Sequence, residues 1–472
     1  MSSPVTAPYN EIDFLLPAQR FNIQYSYVTK HGLPFIREYV LRIVHVAPMT
    51  KNHLATYLGL SQREVNEAVS DLIGRDELQL NSHGRLILTA KSQDYFIEMG
   101  DSPQLSTIFD SGVTLTFELL GYSCLGNNTA FEQWTNGISL LVDNSIASQS
   151  EILAEKYFQQ RFHEILDKGF LFQAAEDDGG DKVSIYTVNS VNKLRQVPIR
   201  LNTVFSIDKD GISVERDDFE DLNDSESVHN SITSALSKNT KMSNLESIAN
   251  AMSVLEDTET NTLMNTNSID LALFMHKRAQ EDNGSNRRKT ILGQLYSSGN
   301  WNLFIELLSP IIDSRIKNKS TDASDRFIWI APTDPYWCKS SRCAASISYI
   351  VSKSSTKHKS LFTPSIFVPM HGEDDRKMKN HWSKELNSAG KYLHGLREGF
   401  LGGDVEIIYL EDEIVVVNYH ISKPDTLPVS FPIGFISTEK KVIKAIGGLV
   451  KEYVEGQASF DKPNDLGAIL QN

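Results

Sequence analysis

The stretch that decides the fold of the N-terminal part is LATYLGLSQREVNEAVSDLIGRDELQ, residues 54–79. Within it, Gly59 permits the left-handed backbone conformation that ends a helix. Ser61 and Glu64 are spaced as a capping box, in which each side chain accepts a hydrogen bond from the other residue's backbone N–H. Apolar residues then recur at helical spacing, and we expect them to be buried: Val65, Ala68, Val69 and Leu72.

The segments on either side extend this pattern. Upstream, KNHLATYLG is a second helix capped by Thr50, and PFIREYVLRIVHV is a first helix opened by Pro34. The residues expected to face inward from these two helices are Phe35, Tyr39, Ile43, Val44, Leu54, Ala55 and Leu58. Downstream, ELQL and RLILT flank a turn that contains Gly84, which is typical of a two-stranded hairpin. The sequence therefore predicts three helices followed by a hairpin.

This order of elements resembles the winged helix-turn-helix family over about residues 34–95. In DNA-binding members of the family, the third helix enters the major groove and the hairpin, or wing, contacts the DNA backbone. The resemblance implies that Gln62, Arg63 and Asn66 face base edges, because these side-chain types pair with bases. It also implies that Arg75, His83 and Arg85 contact phosphates.

Other residues favour a different use of the same module. Glu67 and Asp71 lie on the predicted third helix, and basic residues barely outnumber acidic ones over the whole module. Winged helices also serve as protein-docking or structural elements in large assemblies. From the residues alone, contact with DNA and docking of a protein both remain open.

The composition is that of an ordinary globular protein. The chain has 472 residues, of which 40% are hydrophobic and 22% charged, so we expect several domains. No apolar run is long enough for a membrane helix, and the N-terminus does not resemble a signal peptide. Three cysteines cannot form a disulfide framework, so we expect a cytoplasmic protein with reduced thiols. Because the net charge is −14, any contact with nucleic acid must come from a local patch.

The sequence predicts a multidomain α+β protein in four parts. Residues 30–97 form the winged helix-turn-helix, preceded by a short lead-in. Residues 100–215 form an α+β domain whose amphipathic helix buries a stripe of residues, namely Ile152, Tyr157, Phe158, Phe162, Ile165 and Leu166. Residues 216–290 are polar and begin with the acidic run ERDDFEDLNDSE, so we expect a connector with short helices. Residues 291–456 form an α/β domain with a mostly buried sheet.

Two strand ends of this last domain carry polar side chains. RFIWIAPTDPYW presents Asp334 and Tyr336 after a buried strand, and EIVVVNYHISKPD presents His420 and Lys423 after another. The domain faintly resembles the phospholipase D superfamily, whose strand-borne His is a nucleophile and whose Lys holds the phosphate. That family has the pattern H-x-K, whereas this chain has H-x-x-K. The resemblance therefore implies a degenerate site, with His420 and Lys423 as weak catalytic candidates.

No other constellation predicts a cofactor or a metal. Cys338 and Cys343 are too far apart for a zinc knuckle, with His358 as the nearest further ligand, so we interpret them as two ordinary thiols. His371 and the acidic residues that follow it lie in a turn-like stretch, where such groups are solvated. We expect no metal site and no cofactor.

The sequence favours a non-enzymatic DNA-associated binding protein or adaptor, with duplex DNA and a protein as partners and without membrane contact. By analogy alone, a subunit of a bacterial DNA-processing or anti-phage defence system fits this mixture of domains. Two alternatives stay open: a phosphodiesterase or nuclease around His420, and a structural subunit whose winged helix docks protein.

Overall fold

The computed structural model describes residues 6–32, 35–96, 103–127, 136–172, 174, 183–208, 211–214, 222, 225–264, 270–282, 287–317, 325–457, 460 and 462–470. These residues form a mixed α/β structure with two larger sheets and a short hairpin. Pro34 and most of the acidic stretch 215–226 lie outside the described residues, so the expectations for them stay predictions.

The chain divides into two compact units. Unit 1 comprises Met1–Pro17, Glu132–Leu141 and Pro198–Asn472, and unit 2 comprises Ala18–Phe131 and Val142–Val197. Two long strands, β1 (Ala7–Gly32) and β6 (Ser184–Ile207), contribute residues to both units. The segment expected to be a lead-in is therefore strand for most of its length. A proline stands at the boundary in each strand, where its missing N–H limits pairing.

Part of unit 2 consists of the three helices and the hairpin that the sequence predicts. The elements are α1 (Phe35–Val46), α2 (Lys51–Leu58), α3 (Gln62–Gly74), β2 (Leu78–Leu80) and β3 (Leu86–Leu88), followed by the short α4 (Ala90–Gln93). Gly59 ends α2 with φ 65°, and Ser61 and Glu64 form the expected capping box on α3. Strands β2 and β3 pair in an antiparallel arrangement. Local capping chemistry therefore defines both ends of α2 and the start of α3.

This helix–hairpin module, residues 35–96, has its own apolar core. Its buried residues include Val40, Leu41, Val44, Leu54, Val65, Val69, Leu72, Leu78 and Leu86. The expectation for Tyr39 is wrong, because its side chain is 39% exposed and the Arg42 guanidinium lies 5.8 Å from its ring. Glu77, although charged, is buried, and it accepts hydrogen bonds from Arg37 and from the Tyr95 hydroxyl.

The rest of unit 2 packs helices on a sheet. Strand β4 (Gln104–Glu118) pairs antiparallel with β1, with Ala18 opposite Glu118. Three helices follow, α5 (Asn144–Ser148), α6 (Ser150–Gln160) and α7 (Phe162–Asp167), and the last two replace the single amphipathic helix predicted there. The rings of Phe158 and Phe162 pack against Tyr25 of β1. Ile152 is 68% exposed, so its predicted burial is wrong.

Unit 1 is built around an eight-stranded mixed sheet. Its strands are β8 (Arg288–Leu292), β9 (Arg326–Ile330), β10 (Thr363–Met370), β11 (Leu393–Arg397), β12 (Val405–Leu410), β13 (Ile414–Ile421), β14 (Phe431–Ser437) and β15 (Asp465–Ala468). The order across the sheet is β15-β11-β10-β9-β12-β13-β14-β8. Strands β9, β10 and β11 are parallel, and β12 and β13 are antiparallel to their neighbours. The carboxyl ends of β9, β10 and β13 therefore lie at one edge.

Five of these strands were predicted, and the apolar side chains of β12, β13 and β14 are buried as expected for a covered sheet. Three strands were not predicted. Strand β11 falls inside KNHWSKELNSAGKYLHGLREGF, which the sequence predicts as a helix. Strand β15 falls in QASFDKPNDLGAILQN, which we expect to be a tail, and β8 overlaps EDNGSNRRK, which predicts an exposed loop. Short strands β5 (Ile138–Ser139) and β7 (Ser213–Val214) pair with β1 and β6.

Helices cover the sheet of unit 1. They are α8 (Glu226–Lys238), α9 (Leu245–Val254), α10 (Thr258–Asn261), α11 (Leu271–Asp282), α12 (Ser298–Lys317), α13 (Ser341–Lys353), α14 (Arg376–Glu385) and α15 (Lys440–Glu455), with 3₁₀ helices at Asn387–Tyr392 and Phe400–Gly403. Residues 216–290, which we expected to be a connector, contain helices α8 to α11. These helices bury residues such as Ile232 and Ile248, and Arg288 of β8 lies 2.6 Å from the Asp257 carboxylate. This region therefore belongs to unit 1.

One expectation about the cysteines is wrong. Cys338 and Cys343 form a buried disulfide with their Cα atoms 5.1 Å apart, so they are not two ordinary thiols. The residues between them turn the chain into α13, which brings the two side chains together. Cys124 is a buried free thiol. Among the described helices, none is both long and apolar enough to cross a membrane.

Candidate functional site

The first candidate surface is the outer face of α3. Val65, Val69 and Leu72 point into the core of the module, and this orientation turns the intervening residues outward. Gln62, Arg63 and Asn66 are exposed in the first turns of the helix. This face therefore presents hydrogen-bonding side chains of the types that pair with base edges.

The hairpin supplies the second group of predicted contacts. Asn81 organises its turn, since the Asn81 Oδ1 accepts hydrogen bonds from the backbone N–H groups of His83 and Arg85, each at 3.0 Å. Gly84 adopts φ 70°, which a side chain would strain. His83 and Arg85 are both exposed at this turn. Asn81 and Gly84 thus stabilise a turn from which the side chains of His83 and Arg85 extend into solvent.

Two of the predicted cations already have acidic neighbours. The Arg63 Nε lies 3.3 Å from the Glu67 carboxylate, and the Arg75 Nε lies 2.8 Å from that of Asp71. The side chains of Arg63 and Glu67 are 88% and 71% exposed, so water screens their attraction. Such exposed pairs contribute little to stability, and a phosphate group competes with them readily.

The module also carries an apolar groove between α1 and α2. Its volume is about 670 Å³, and its lining consists of Tyr39, Arg42, Ile43, His45, Val46, Ala47, Met49, Tyr57, Leu58 and Phe96. Tyr57 is 78% exposed there, which is unusual for so large an aromatic side chain. This groove is the feature of the module that bears on the alternative of protein docking.

In unit 1, the structure brings together Asp334 and His420, which the sequence placed at two separate strand ends. Asp334 follows β9, and His420 is on β13, which runs in the same direction. The His420 Nδ1 lies 2.7 Å from the Asp334 Oδ2, and the Ser430 hydroxyl donates a 2.5 Å hydrogen bond to the same oxygen. His420 is only 2% exposed, so this contact lies inside the protein.

A second carboxylate lies on the other side of the imidazole. The Glu406 Oε2 is 3.5 Å from the His420 Nε2. The other oxygen of Glu406 accepts hydrogen bonds from the indole N–H groups of Trp329 and Trp337, at 2.9 and 2.8 Å. A fully buried carboxylate on an apolar strand is thereby supplied with donors.

These contacts determine the ionisation of the cluster. Burial on its own lowers the pKa of His420, but the hydrogen bonds and charges of Asp334 and Glu406 outweigh it and raise the pKa to about 9. Burial works to raise the pKa of Asp334, whereas the hydrogen bonds from His420 and Ser430 hold it below its usual value. At neutral pH, His420 is therefore a buried imidazolium in contact with the Asp334 carboxylate, and Glu406 lies 3.5 Å from its other ring nitrogen.

This geometry limits the chemistry of the two catalytic candidates. A protonated imidazole has no lone pair with which to attack phosphorus, and both ring nitrogens of His420 face carboxylates. Lys423 is beyond the end of β13, where its carbonyl accepts hydrogen bonds from the N–H groups of Thr426 and Leu427. The cluster ties the loop after β9 to β13, as an electrostatic clamp inside unit 1.

The other polar groups noted in the sequence lie apart from this cluster. His371 is exposed and lies 3.0 Å from the Glu398 carboxylate. Because Cys338 and Cys343 are joined in a disulfide, they are not thiolate ligands with which His358 could share a metal ion. Within the described ranges, no three His, Cys, Asp or Glu side chains converge in a way that suits a metal ion.

Comparisons with known proteins include a structural likeness. No family model and no curated protein sequence matches the chain. Among solved structures, the chain is similar to Nuc, a phospholipase D family member from Salmonella typhimurium, with 12% identity over 34% of this chain and 89% of that one. The TM-score is 0.19, which is too low to support an argument about fold or function.

Sequence reasoning singled out Asp334 but missed the other residues around the buried histidine. Glu406 carries a visible signal, since it is the one charged residue inside the apolar strand VEIIYL. Ser430 and the two tryptophans carry none, because they reach the cluster only through long-range strand pairing and the loop after β9.

Proposed function

We propose that residues 35–96 are a winged helix that binds duplex DNA, and that the protein is a DNA-associated binding protein rather than an enzyme. In this proposal, α3 enters the major groove and the β2–β3 turn contacts the adjacent backbone. A place in a multi-protein DNA-processing or defence assembly agrees with this role, on analogy alone.

The observation that carries the proposal is the composition of the exposed face of α3. Gln62, Arg63 and Asn66 are all exposed in its first two turns. Amide side chains bind adenine and the Arg guanidinium binds guanine in the major groove, each in a bidentate manner. A helix that served only as a scaffold would need no such set of donors at its N-terminal end.

The remaining contacts supply affinity rather than sequence selection. Arg75 ends α3, and His83 and Arg85 lie at the hairpin turn, where a wing meets phosphates. Few positive charges are involved, so the affinity should be moderate and salt-dependent. The acidic residues Glu67 and Asp71 reduce it further by repelling the DNA backbone.

The buried cluster of His420, Asp334 and Glu406 supports the proposal that the protein is not an enzyme. A nucleophilic His must expose a neutral ring nitrogen to its substrate, whereas His420 is 2% exposed and its pKa is raised to about 9. The stabilised imidazolium fits a structural clamp better than a site of phosphodiester cleavage.

Substitution of the exposed arginines tests the proposal. In binding titrations with a duplex library, Arg63→Ala should weaken binding to preferred sites about tenfold and relax base preference, and Arg85→Ala should weaken all sequences alike. The matched control is Lys156→Ala, which removes one exposed positive charge from α6 in the same unit. Equal losses in Arg63→Ala and Lys156→Ala would contradict the assignment of α3 as the reading helix.

A further inference from the structure

A cavity in unit 1 opens at the edge where β9 and β10 end. Its volume is about 440 Å³, within the range of small-molecule sites. Pro332, Thr333 and Asp334 follow β9 on one side, and Pro369 lies near the end of β10 on the other. In sheets with parallel strands, ligands bind outside the carboxyl ends of the strands.

The walls of the cavity are largely apolar. Pro335, Trp337, Met378 and Trp382 line it together with the two prolines at the strand ends. The indole N–H groups of Trp337 and Trp382 are used internally, by Glu406 and by the Pro369 carbonyl. Trp337 is fully buried and Trp382 is 5% exposed, so the indoles form the floor of the cavity, and the apolar surface open to a ligand comes from Pro335 and Met378.

Three lysines from two segments of the chain line this cavity. Lys238 ends α8, Lys241 follows it in the next segment, and Lys339 precedes α13. The Lys241 ammonium donates to the Thr333 carbonyl and lies 3.7 Å from the Asp404 carboxylate, and Lys339 is paired with Glu385. Each ammonium has three N–H donors, so these contacts orient the lysines and leave donors for a ligand.

Lysines also lie close to His381, another lining residue. Burial lowers the pKa of His381 and nearby Glu385 opposes this effect, while Lys339, Lys377 and Lys384 lower the pKa further. The acids at the cavity have partners of their own. Asp334 is bound to His420, and Glu398 lies 3.0 Å from His371.

We propose that this cavity binds a phosphate-bearing small molecule of about mononucleotide size. The lysines hold the phosphate group, and Pro335 and Met378 contact the rest of the molecule. None of the three lysines belongs to the segment of His420 and Lys423, and the site is separate from the duplex-binding surface proposed for unit 2.

Calorimetric titration of the full chain tests this site, with adenosine 5′-monophosphate and adenosine as probes. The monophosphate should bind measurably, and adenosine should bind about tenfold more weakly because it lacks the charged group. Lys238→Glu, an exposed substitution, should weaken monophosphate binding about tenfold or more.

The matched control is Lys317→Glu, since Lys317 is also an exposed last residue of a helix. It is near Arg315, which pairs with Asp325 just before β9, at the opposite edge of the sheet. Monophosphate affinity should be unchanged in this control and in Arg63→Ala. Absence of monophosphate binding, equal binding of adenosine, or unchanged affinity in Lys238→Glu would each overturn the proposal. Lys238→Glu should leave duplex binding unchanged. The duplex-binding proposal and the monophosphate proposal can therefore fail independently of each other.

Discussion

At the scale of single residues, the most unusual feature is a buried imidazolium with a carboxylate on each side. Removal of these charges from water costs several kcal/mol for each ion, and only close pairing and hydrogen bonding offset that cost. His420 and Asp334 meet this condition with a 2.7 Å contact, and Ser430 and two indoles supply further donors to the carboxylates. The stability of unit 1 should therefore depend on the protonation of His420.

This dependence gives a pH prediction with a definite sign. The pKa of His420 is raised from 6.5 to about 9, so the folded protein binds the proton more tightly than the unfolded chain. The resulting stabilisation is fully present below pH 6.5 and is lost as the pH rises towards 9. We expect the free energy of unfolding of unit 1, measured by denaturant titration, to fall across this window.

An NMR titration of the His420 ring identifies the group responsible. His381 serves as the internal control, because its pKa is lowered below 6.5 and it titrates outside the window. A His420 resonance that titrates near the ordinary histidine value, with flat stability from pH 6.5 to 9, would contradict the buried imidazolium.

At the scale of elements, α3 depends on its capping box. Ser61 accepts a hydrogen bond from the Glu64 N–H, and the Glu64 carboxylate accepts one from the Ser61 N–H at 2.8 Å. Ser61→Ala should lower the free energy of unfolding of the helix–hairpin module by about 1 kcal/mol. Thermal denaturation followed by circular dichroism measures this change.

Ser70→Ala is the matched control, since Ser70 is exposed inside the same helix. Alanine has the higher helix propensity, so this variant should be as stable as the wild type or slightly more stable. Equal destabilisation by the two substitutions would show that the cap does not define the start of α3.

Features of the fold that depend on local sequence could be predicted, and those that depend on distant residues could not. Capping residues, turn glycines and apolar periodicity are local, and they predict α1 to α3, the hairpin and five strands of unit 1. Strands β1 and β11 depend on partners far away in the chain, as Ala18 pairs with Glu118 and Ile366 with Leu393. Tyr39 and Ile152 fit the helical spacing, yet tertiary contacts leave both exposed.

For the candidate site too, the individual residues could be predicted from the sequence but their contact could not. Asp334 and His420 were each noticed because a polar residue ends a buried strand. Their direct contact depends on β9 and β13 running in the same direction on either side of β12. No local pattern in the sequence contains that information.

At the scale of the whole molecule, the net charge of −14 restricts the proposed contact with DNA. A chain with this net charge is repelled by phosphate overall, so in this proposal DNA binding comes from a small basic patch. The proposed patch contains Arg63, Arg75, His83 and Arg85 and belongs to unit 2 alone. The proposed small-molecule cavity belongs to unit 1, so the two activities draw on separate residues.

The most direct test of the central claim is the salt dependence of duplex binding, measured by fluorescence anisotropy on the full chain. Two or three phosphate contacts predict that the logarithm of the affinity falls with the logarithm of salt concentration with a slope of about −2 to −3. Arg85→Ala should reduce that slope by about one contact. Undetectable duplex binding at low salt, or binding that does not respond to salt, would contradict the account.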